Sequence, residues 1–127
     1  MTIRSDRRYG PTHEWARQEG DDWVLGVTEQ GQALLGDVVF AQLPDVGAEV
    51  RHGEPCATLE SVKAASDVIC PVDGVVVAIN TDLADSPELI NDDPLDSGWI
   101  MRIAPKGAPD EWMSPQAYQT LLDAGST

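Results

Sequence analysis

Only two lysines occur in the chain, Lys63 and Lys106. Lys63 stands in Glu60-Ser61-Val62-Lys63-Ala64-Ala65-Ser66-Asp67, between two β-prone runs, which places it near the tip of a predicted hairpin. A lysine in a turn is ordinarily a solvated charge. Here its scarcity separates it from a general lysine-rich surface, and Ala64, Ala65 and Ser66 are small enough to leave its ammonium group open to approach. Glu60 and Asp67 flank it at a spacing that could orient an incoming enzyme. A protruding lysine on a rigid base suits acylation by a ligase and use as a carrier arm. It does not suit a catalytic Schiff base, which needs burial to depress the lysine pKa.

Other chemistry does not assemble. No Gly-x-Ser-x-Gly, phosphate-binding loop, Gly-x-Gly-x-x-Gly or His-Glu-x-x-His pattern occurs. His13 beside Glu14 has the form of a base with its orienting carboxylate, but no nucleophile accompanies the pair, and on a strand the two would face opposite ways. Cys56 and Cys70 form no Cys-x-x-Cys pair, and His13 and His52 have no zinc spacing, so no metal is expected. Both cysteines lie among small apolar residues, where nothing nearby lowers a thiol pKa. The scattered aspartates, from Asp37 to Asp93, lack calcium-loop spacing and read as turn formers. Trp15, Trp23, Trp99 and Trp112 read as packing residues.

The elements that must position Lys63 follow from the pattern. Trp23 to Val27 reads as a strand, and Thr28 as the N-cap of a short helix over Glu29 to Leu35 that Gly36 closes. Asp37 to Leu43 is β-prone and stops at Pro44. Ala48 to Arg51, Pro55 to Glu60, Ser66 to Cys70, Val75 to Ile79 and Trp99 to Ile103 read as further strands, with Asp73-Gly74 as a turn. Asn80 to Pro94 reads as a structured loop with at most a helical turn near Leu83. Ser114-Pro115 followed by Tyr118, Leu121 and Leu122 predicts an amphipathic C-terminal helix within a tail over about 110–124. If the hairpin centres on Lys63, Cys56 and Cys70 face each other across it, with free thiols expected in a reducing compartment.

At 127 residues the chain is expected to be one domain spanning 1–127. Short strands punctuated by Gly and Pro make it all-β, a small sandwich or barrel with a helical tail. Eight Lys and Arg against 22 Asp and Glu give a formal charge of −14. Such a surface repels phosphate backbones and anionic lipid, so nucleic-acid and membrane binding are not expected; it suits docking on basic enzyme surfaces, or simply solubility at high concentration. No apolar run approaches a bilayer span, and the first ten residues lack the apolar stretch of a secretory signal. The chain therefore reads as cytoplasmic, or as a processed mature form.

From Thr12 to Ile103 the sequence resembles the H protein family of the glycine cleavage system. The matching pieces are His13-Glu14-Trp15, Gly26-Val27-Thr28, Leu35 to Phe40 and Leu43-Pro44, then the lysine octapeptide Glu60 to Asp67. Pro71, Gly74, Asn80, Pro87 to Asn91, Pro94 and Gly98-Trp99 complete the set. The octapeptide with its downstream proline and glycine is the specific part.

The resemblance implies a lipoyl-type fold, two antiparallel sheets in a flattened barrel-sandwich, with a short internal helix and a C-terminal helix. It implies lipoic acid joined to Lys63 by an amide, with Glu60 and Asp67 recognised by lipoate-attaching enzymes. It also implies a non-catalytic carrier for glycine catabolism and one-carbon metabolism. The arm would take an aminomethyl group from the P protein to the T protein and pass electrons to the L protein. A cleft holding that amine would draw on Thr12, Glu14 and Asp67. An H-like lipoyl relay serving another pathway, such as sulfur oxidation, is the alternative, and the biotinyl carriers are disfavoured because Val62 and Ala64 replace flanking methionines. By the same resemblance the setting is the bacterial cytoplasm, or the mitochondrial matrix for a processed eukaryotic form. Gly31, where the family usually has alanine, and Leu34, where some members have a polar residue, are departures.

Overall fold

The computed structural model describes residues 2–107 and 111–125. In chain order its elements are β1 (Arg7–Tyr9), β2 (Glu14–Glu19), β3 (Asp22–Val27), α1 (Glu29–Leu35), β4 (Val38–Gln42), β5 (Glu49–Val50) and β6 (Pro55–Ser61). They continue with β7 (Ala65–Ile69), β8 (Gly74–Ile79), α2 (Asp82–Asp85), α3 (Leu89–Asp92), β9 (Met101–Pro105) and α4 (Pro115–Asp123). Strands pair in a six-stranded sheet of order β1-β2-β3-β9-β8-β5 and a three-stranded sheet of order β4-β6-β7. Every pairing is antiparallel. This is the expected flattened sandwich of two sheets, open rather than closed as a barrel.

Two cores hold it together, one on each face of the larger sheet. Ala16, Leu25, Val76, Met101 and Ile103 lie between the sheets and meet Ala41, Ala57, Leu59 and Val68 of the smaller one. On the opposite face, Tyr9, Trp15 and Val24 are covered by Leu95 and by Tyr118 of α4. Alternation along β2 and β3 thus feeds both cores, because successive side chains leave opposite faces of a strand. Trp15 lies flat over β3 where Gly26 faces it, and a Cβ there would come within 2.3 Å of the indole. The indole N–H donates to the Pro94 carbonyl at 3.0 Å, so this large ring buries without an orphaned donor.

Several boundaries differ from the sequence reading. β1 and β2 carry no clear strand signal, because the buried positions include charged Arg7 and Glu14. Arg7 is accommodated by stacking 4.3 Å from the Trp15 ring centroid and donating to Leu95 O. The last strand begins at Met101 rather than Trp99, since Gly98 and Trp99 close a turn on Asp93 O and Asp96 O. The Asn80 to Pro94 segment forms two helical turns, α2 and α3, each pinned by one buried side chain, Leu83 and Ile90. The C-terminal helix starts at Pro115, where the Ser114 hydroxyl accepts from Ala117 N at 3.1 Å. Of the expected tail over about 110–124, Asp110 lies outside the described residues.

The lysine-bearing turn is fixed from three sides. Thr58↔Asp67, Leu59↔Ser66 and Glu60↔Ala65 pair across β6 and β7, so the hairpin centres between Val62 and Lys63 and not on Lys63 itself. Ser61 Oγ accepts from the N–H groups of Lys63 and Ala64, both at 3.2 Å, which closes the turn. Val62 N donates to Asp37 O at 3.2 Å, tying the tip to the α1–β4 connection. Asn91 of α3 holds that connection, donating to Gly36 O at 2.8 Å and accepting from Val38 N at 2.9 Å.

Gly36 carries two requirements. Its φ of 83° with ψ of −161° is a conformation essentially confined to glycine. A Cβ there would also stand 2.9 Å from Lys63 Cε. The lysine tip can swing aside, so backbone strain decides the cost. Gly36→Ala is expected to lower unfolding free energy by about 1–3 kcal/mol, read by urea denaturation. An unchanged midpoint would mean that the backbone relaxes freely there.

Candidate functional site

Lys63 opens onto a cleft of about 310 Å³ where three elements meet. Thr12 and His13, in the β1–β2 connection, form one wall; Gly31, Leu34 and Leu35 of α1 form the second; the hairpin from Lys63 to Ser66 forms the third. Small residues on two of these walls, Gly31 and Ala64 to Ser66, leave the space open. Gly31 also lets α1 approach the β1–β2 connection, since a Cβ there would lie 2.8 Å from His13 O. Lys63 is exposed, and none of the described ion pairs involves it.

Behind the first wall stands Glu14, 1% exposed, on the face of β2 turned between the sheets. Its Oε2 accepts from the Thr12 hydroxyl and from Ile69 N of β7, so one carboxyl bridges the two sheets. Its Oε1 has no hydrogen-bond partner among the described residues. Gly10 makes room for that oxygen, because a Cβ at this position would stand 2.7 Å from it. Burial, the largest influence, raises the Glu14 pKa above the usual carboxylate range, and the bonds from Thr12 and Ile69 act against it. Since Thr12 gives its proton to the bond with Glu14, what it presents to the cleft is oxygen lone pairs polarised by a carboxyl group. That arrangement can accept hydrogen bonds from a cation.

The wall residue His13 is 7% exposed and holds φ at 70°, left-handed and outside the strand that begins at Glu14. Its Nδ1 lies 2.7 Å from the Tyr118 hydroxyl, which lies 2.8 Å from Thr28 Oγ1, the N-cap of α1. Burial lowers the His13 pKa. No group of three His, Cys, Asp or Glu side chains suited to a metal occurs among the described residues, and none of their helices is long and apolar enough to cross a membrane.

The family model described as glycine cleavage H-protein matches residues 7–124. The chain belongs to the glycine cleavage H-protein family. It is 54% identical over 123 residues to the glycine cleavage system H protein of Pseudoalteromonas atlantica, covering 96% of this chain and 90% of that one. It is 47% identical over 126 residues to a glycine cleavage system H protein of Thermus thermophilus, covering 98% of each. Among solved structures, a glycine cleavage system H protein from Mycobacterium marinum superposes with a TM-score of 0.86 at 36% identity, over 97% of this chain and 99% of that one.

Within this H-protein fold the residues singled out from sequence separate into two groups. Thr12 lines the cleft and Glu14 backs it at one hydrogen bond's remove. Asp67 is not among the cleft-lining residues. It faces the outer side of the small sheet, where Thr58 Oγ1 donates to it at 3.2 Å, because period-2 alternation puts Ser66 on the cleft side and Asp67 on the other. Glu60, two residues from Thr58 on β6, shares that outer face, so Glu60 and Asp67 lie on one face of the hairpin that carries Lys63. The two cysteines are free thiols, and although the β6–β7 register skips between Pro55 and Ala57, their thiol groups meet within hydrogen-bonding reach across the hairpin, as expected.

Sequence reasoning missed Tyr118 as more than a core aromatic, and missed the second task of Gly36. Nothing in residue spacing announces that a helix 90 residues downstream bonds to the N-cap of α1.

The raised Glu14 pKa fixes a sign. The folded protein holds this proton more tightly than the unfolded chain, so the contribution of Glu14 to stability falls as pH rises through the window above the ordinary carboxylate range. Glu14→Gln removes that slope. The melting temperature of the wild type minus that of Glu14→Gln should therefore decrease between about pH 4 and about pH 8. An increase over that range would show that the folded state favours the carboxylate.

Proposed function

We propose that this chain is the lipoyl carrier of the glycine cleavage system, with lipoic acid amide-linked to Lys63. The observation that carries the reading is the placement of an exposed lysine on a braced turn at the mouth of a cleft whose far wall holds a carboxyl-backed hydroxyl. The room left by Gly31 and Ala64 to Ser66, and a Thr12 oxygen whose own proton is already engaged, fit a guest that brings its own hydrogen-bond donors. When attached, the lipoyl group supplies a disulfide whose reduced form carries a one-carbon amine and returns two electrons on reoxidation.

The chain's own residues do the rest by holding and shielding. Thr12 accepts from a cationic amine, Glu14 neutralises it through Thr12, and Leu34 and Leu35 keep water from that end of the cleft. Glu60 and Asp67, on the outer face of the hairpin, are the recognition contacts for a lipoate-attaching enzyme. That face stays accessible while the arm rests in the cleft, so attachment and parking use different surfaces of one hairpin. The partners are the P, T and L proteins of the system, met through a surface of net charge −14. The chain contributes no chemical step of its own, and its setting is the bacterial cytoplasm, in keeping with bacterial relatives.

Incubation with lipoate and a lipoate ligase, followed by intact mass and peptide mapping, tests this. One lipoyl increment confined to Lys63 is expected, and none in Lys63→Arg, whose circular dichroism should match the wild type. Modification elsewhere, or glycine-dependent activity in Lys63→Arg, would overturn the assignment.

A further inference from the structure

We propose that Tyr118 and Thr28 lock His13 in its neutral form with the proton on Nε2, and so keep a second positive charge out of the cleft beside Lys63. Counting hydrogens sets the direction of each bond. Thr28 Oγ1 already accepts from Gly31 N at 3.0 Å, as the N-cap of α1. Thr28 is 2% exposed, and the hydroxyl of Tyr118 is the one described acceptor for its proton, at 2.8 Å. Thr28 therefore donates to Tyr118. The Tyr118 proton then has one described acceptor within reach, His13 Nδ1 at 2.7 Å. A nitrogen that accepts a hydrogen bond carries no proton, so the neutral ring is protonated at Nε2.

The opposite polarity, with Nδ1–H donating to Tyr118, leaves one hydroxyl proton, that of Thr28 or that of Tyr118, buried without an acceptor. An imidazolium would force that same arrangement, because both of its nitrogens donate. Protonating His13 thus costs a broken chain of three groups in addition to the burial of a charge. The lowered His13 pKa accords with this, and burial alone already acts in that direction.

The surroundings supply no counter-charge that would undo the lock. From β2, Glu14 turns between the sheets and is engaged by Thr12 and Ile69. Across the cleft stands Lys63, which would repel an imidazolium. On α1 the first-turn Glu29 accepts from Thr2 N at 2.8 Å. Behind Tyr118 lies Tyr9, its ring stacked at 4.7 Å. Among the described residues His13 Nε2 has no partner, and it is not sealed from solvent, which leaves it an uncharged N–H donor.

Why the lock matters rests on the carrier reading above. A neutral wall beside Thr12 and Glu14 leaves their acceptor capacity for a cationic amine, whereas an imidazolium would compete for it. Tyr118 and Thr28 are thus positioning residues, and the ring they set belongs to a residue of the cleft wall.

The test uses unmodified protein labelled with ¹⁵N-histidine, so its result is independent of whether Lys63 accepts lipoate. Two histidines are present, and His52→Gln assigns them. Long-range ¹H–¹⁵N spectra at neutral pH are expected to show His13 with unprotonated Nδ1 and protonated Nε2, titrating below the ordinary imidazole range. Tyr118→Phe keeps the ring on Tyr9 and removes only the hydroxyl; its His13 should become a mixture of tautomers and titrate at higher pH. Thr28→Ser, which retains the donor, should leave the wild-type tautomer and titration in place. A wild-type ring protonated at Nδ1 would overturn the proposal, and so would an unaltered titration in folded Tyr118→Phe. Should that variant fail to fold, the wild-type tautomer still decides.

Discussion

The carboxyl of Glu14 sits between two sheets with one oxygen bonded to the β1–β2 connection and to β7 and the other without a partner among the described residues, and the local architecture is arranged around that cost. An apolar side chain of similar size would pack there with less penalty, since burying a polar group without full hydrogen bonding costs on the order of 1–3 kcal/mol. The chain instead commits Gly10 to clear its Oε1, Thr12 to donate to its Oε2, and the Ile69 N–H at the end of β7 to reach it from the other sheet. Because Ile69 belongs to the strand that leads back to the lysine turn, the same carboxyl that polarises the cleft also ties the hairpin to the larger sheet. Site chemistry and sheet-to-sheet registration are one interaction here.

The other end of the hairpin is held by backbone. Val62 N on Asp37 O and the glycine-only conformation of Gly36 bring the lysine turn against the end of α1, and Asn91 fixes the connection from α3. Side-chain hydrogen bonds at an exposed turn are individually weak, each about 1 kcal/mol. Their value is directional. Ser61 closes the turn so that Lys63 leaves it toward the cleft, and a long flexible side chain then starts from a defined point.

How much of this the sequence disclosed depended on whether the controlling interaction was local. α1 was legible to the residue, since Thr28 and Gly36 are caps acting within one turn. Lys63 at a hairpin tip followed from flanking β-prone runs, although the turn's true centre, between Val62 and Lys63, depends on Val62 meeting Asp37. Asp67 was misplaced relative to the cleft because resemblance names a residue without saying which face of the strand it takes. β1 and β2 were obscure because Arg7 and Glu14 are charges that only tertiary partners make buryable. The bond between Thr28 and Tyr118 joins the cap of α1 to the outer core and leaves no periodic trace at all.

That last bond changes how the C-terminal helix should be understood. The apolar stripe of α4 accounts for its docking: Tyr118 stacks on Tyr9, and Leu121 and Leu122 pack on the same cluster. Burial alone would be served equally by phenylalanine at position 118, with no hydroxyl to satisfy. The hydroxyl instead reaches through the outer core to the two walls of the cleft that the hairpin does not supply, His13 on one and the cap of α1 on the other. His13 holds its place with a left-handed backbone, a conformation that persists only where the surroundings over-determine it. Its carbonyl is bonded by Thr28 N at 2.9 Å and its ring by Tyr118, so backbone and side chain are both held from the α1 side. The cleft is therefore closed by three segments distant in sequence, and a helix that belongs to none of them sets the protonation of a residue in one wall.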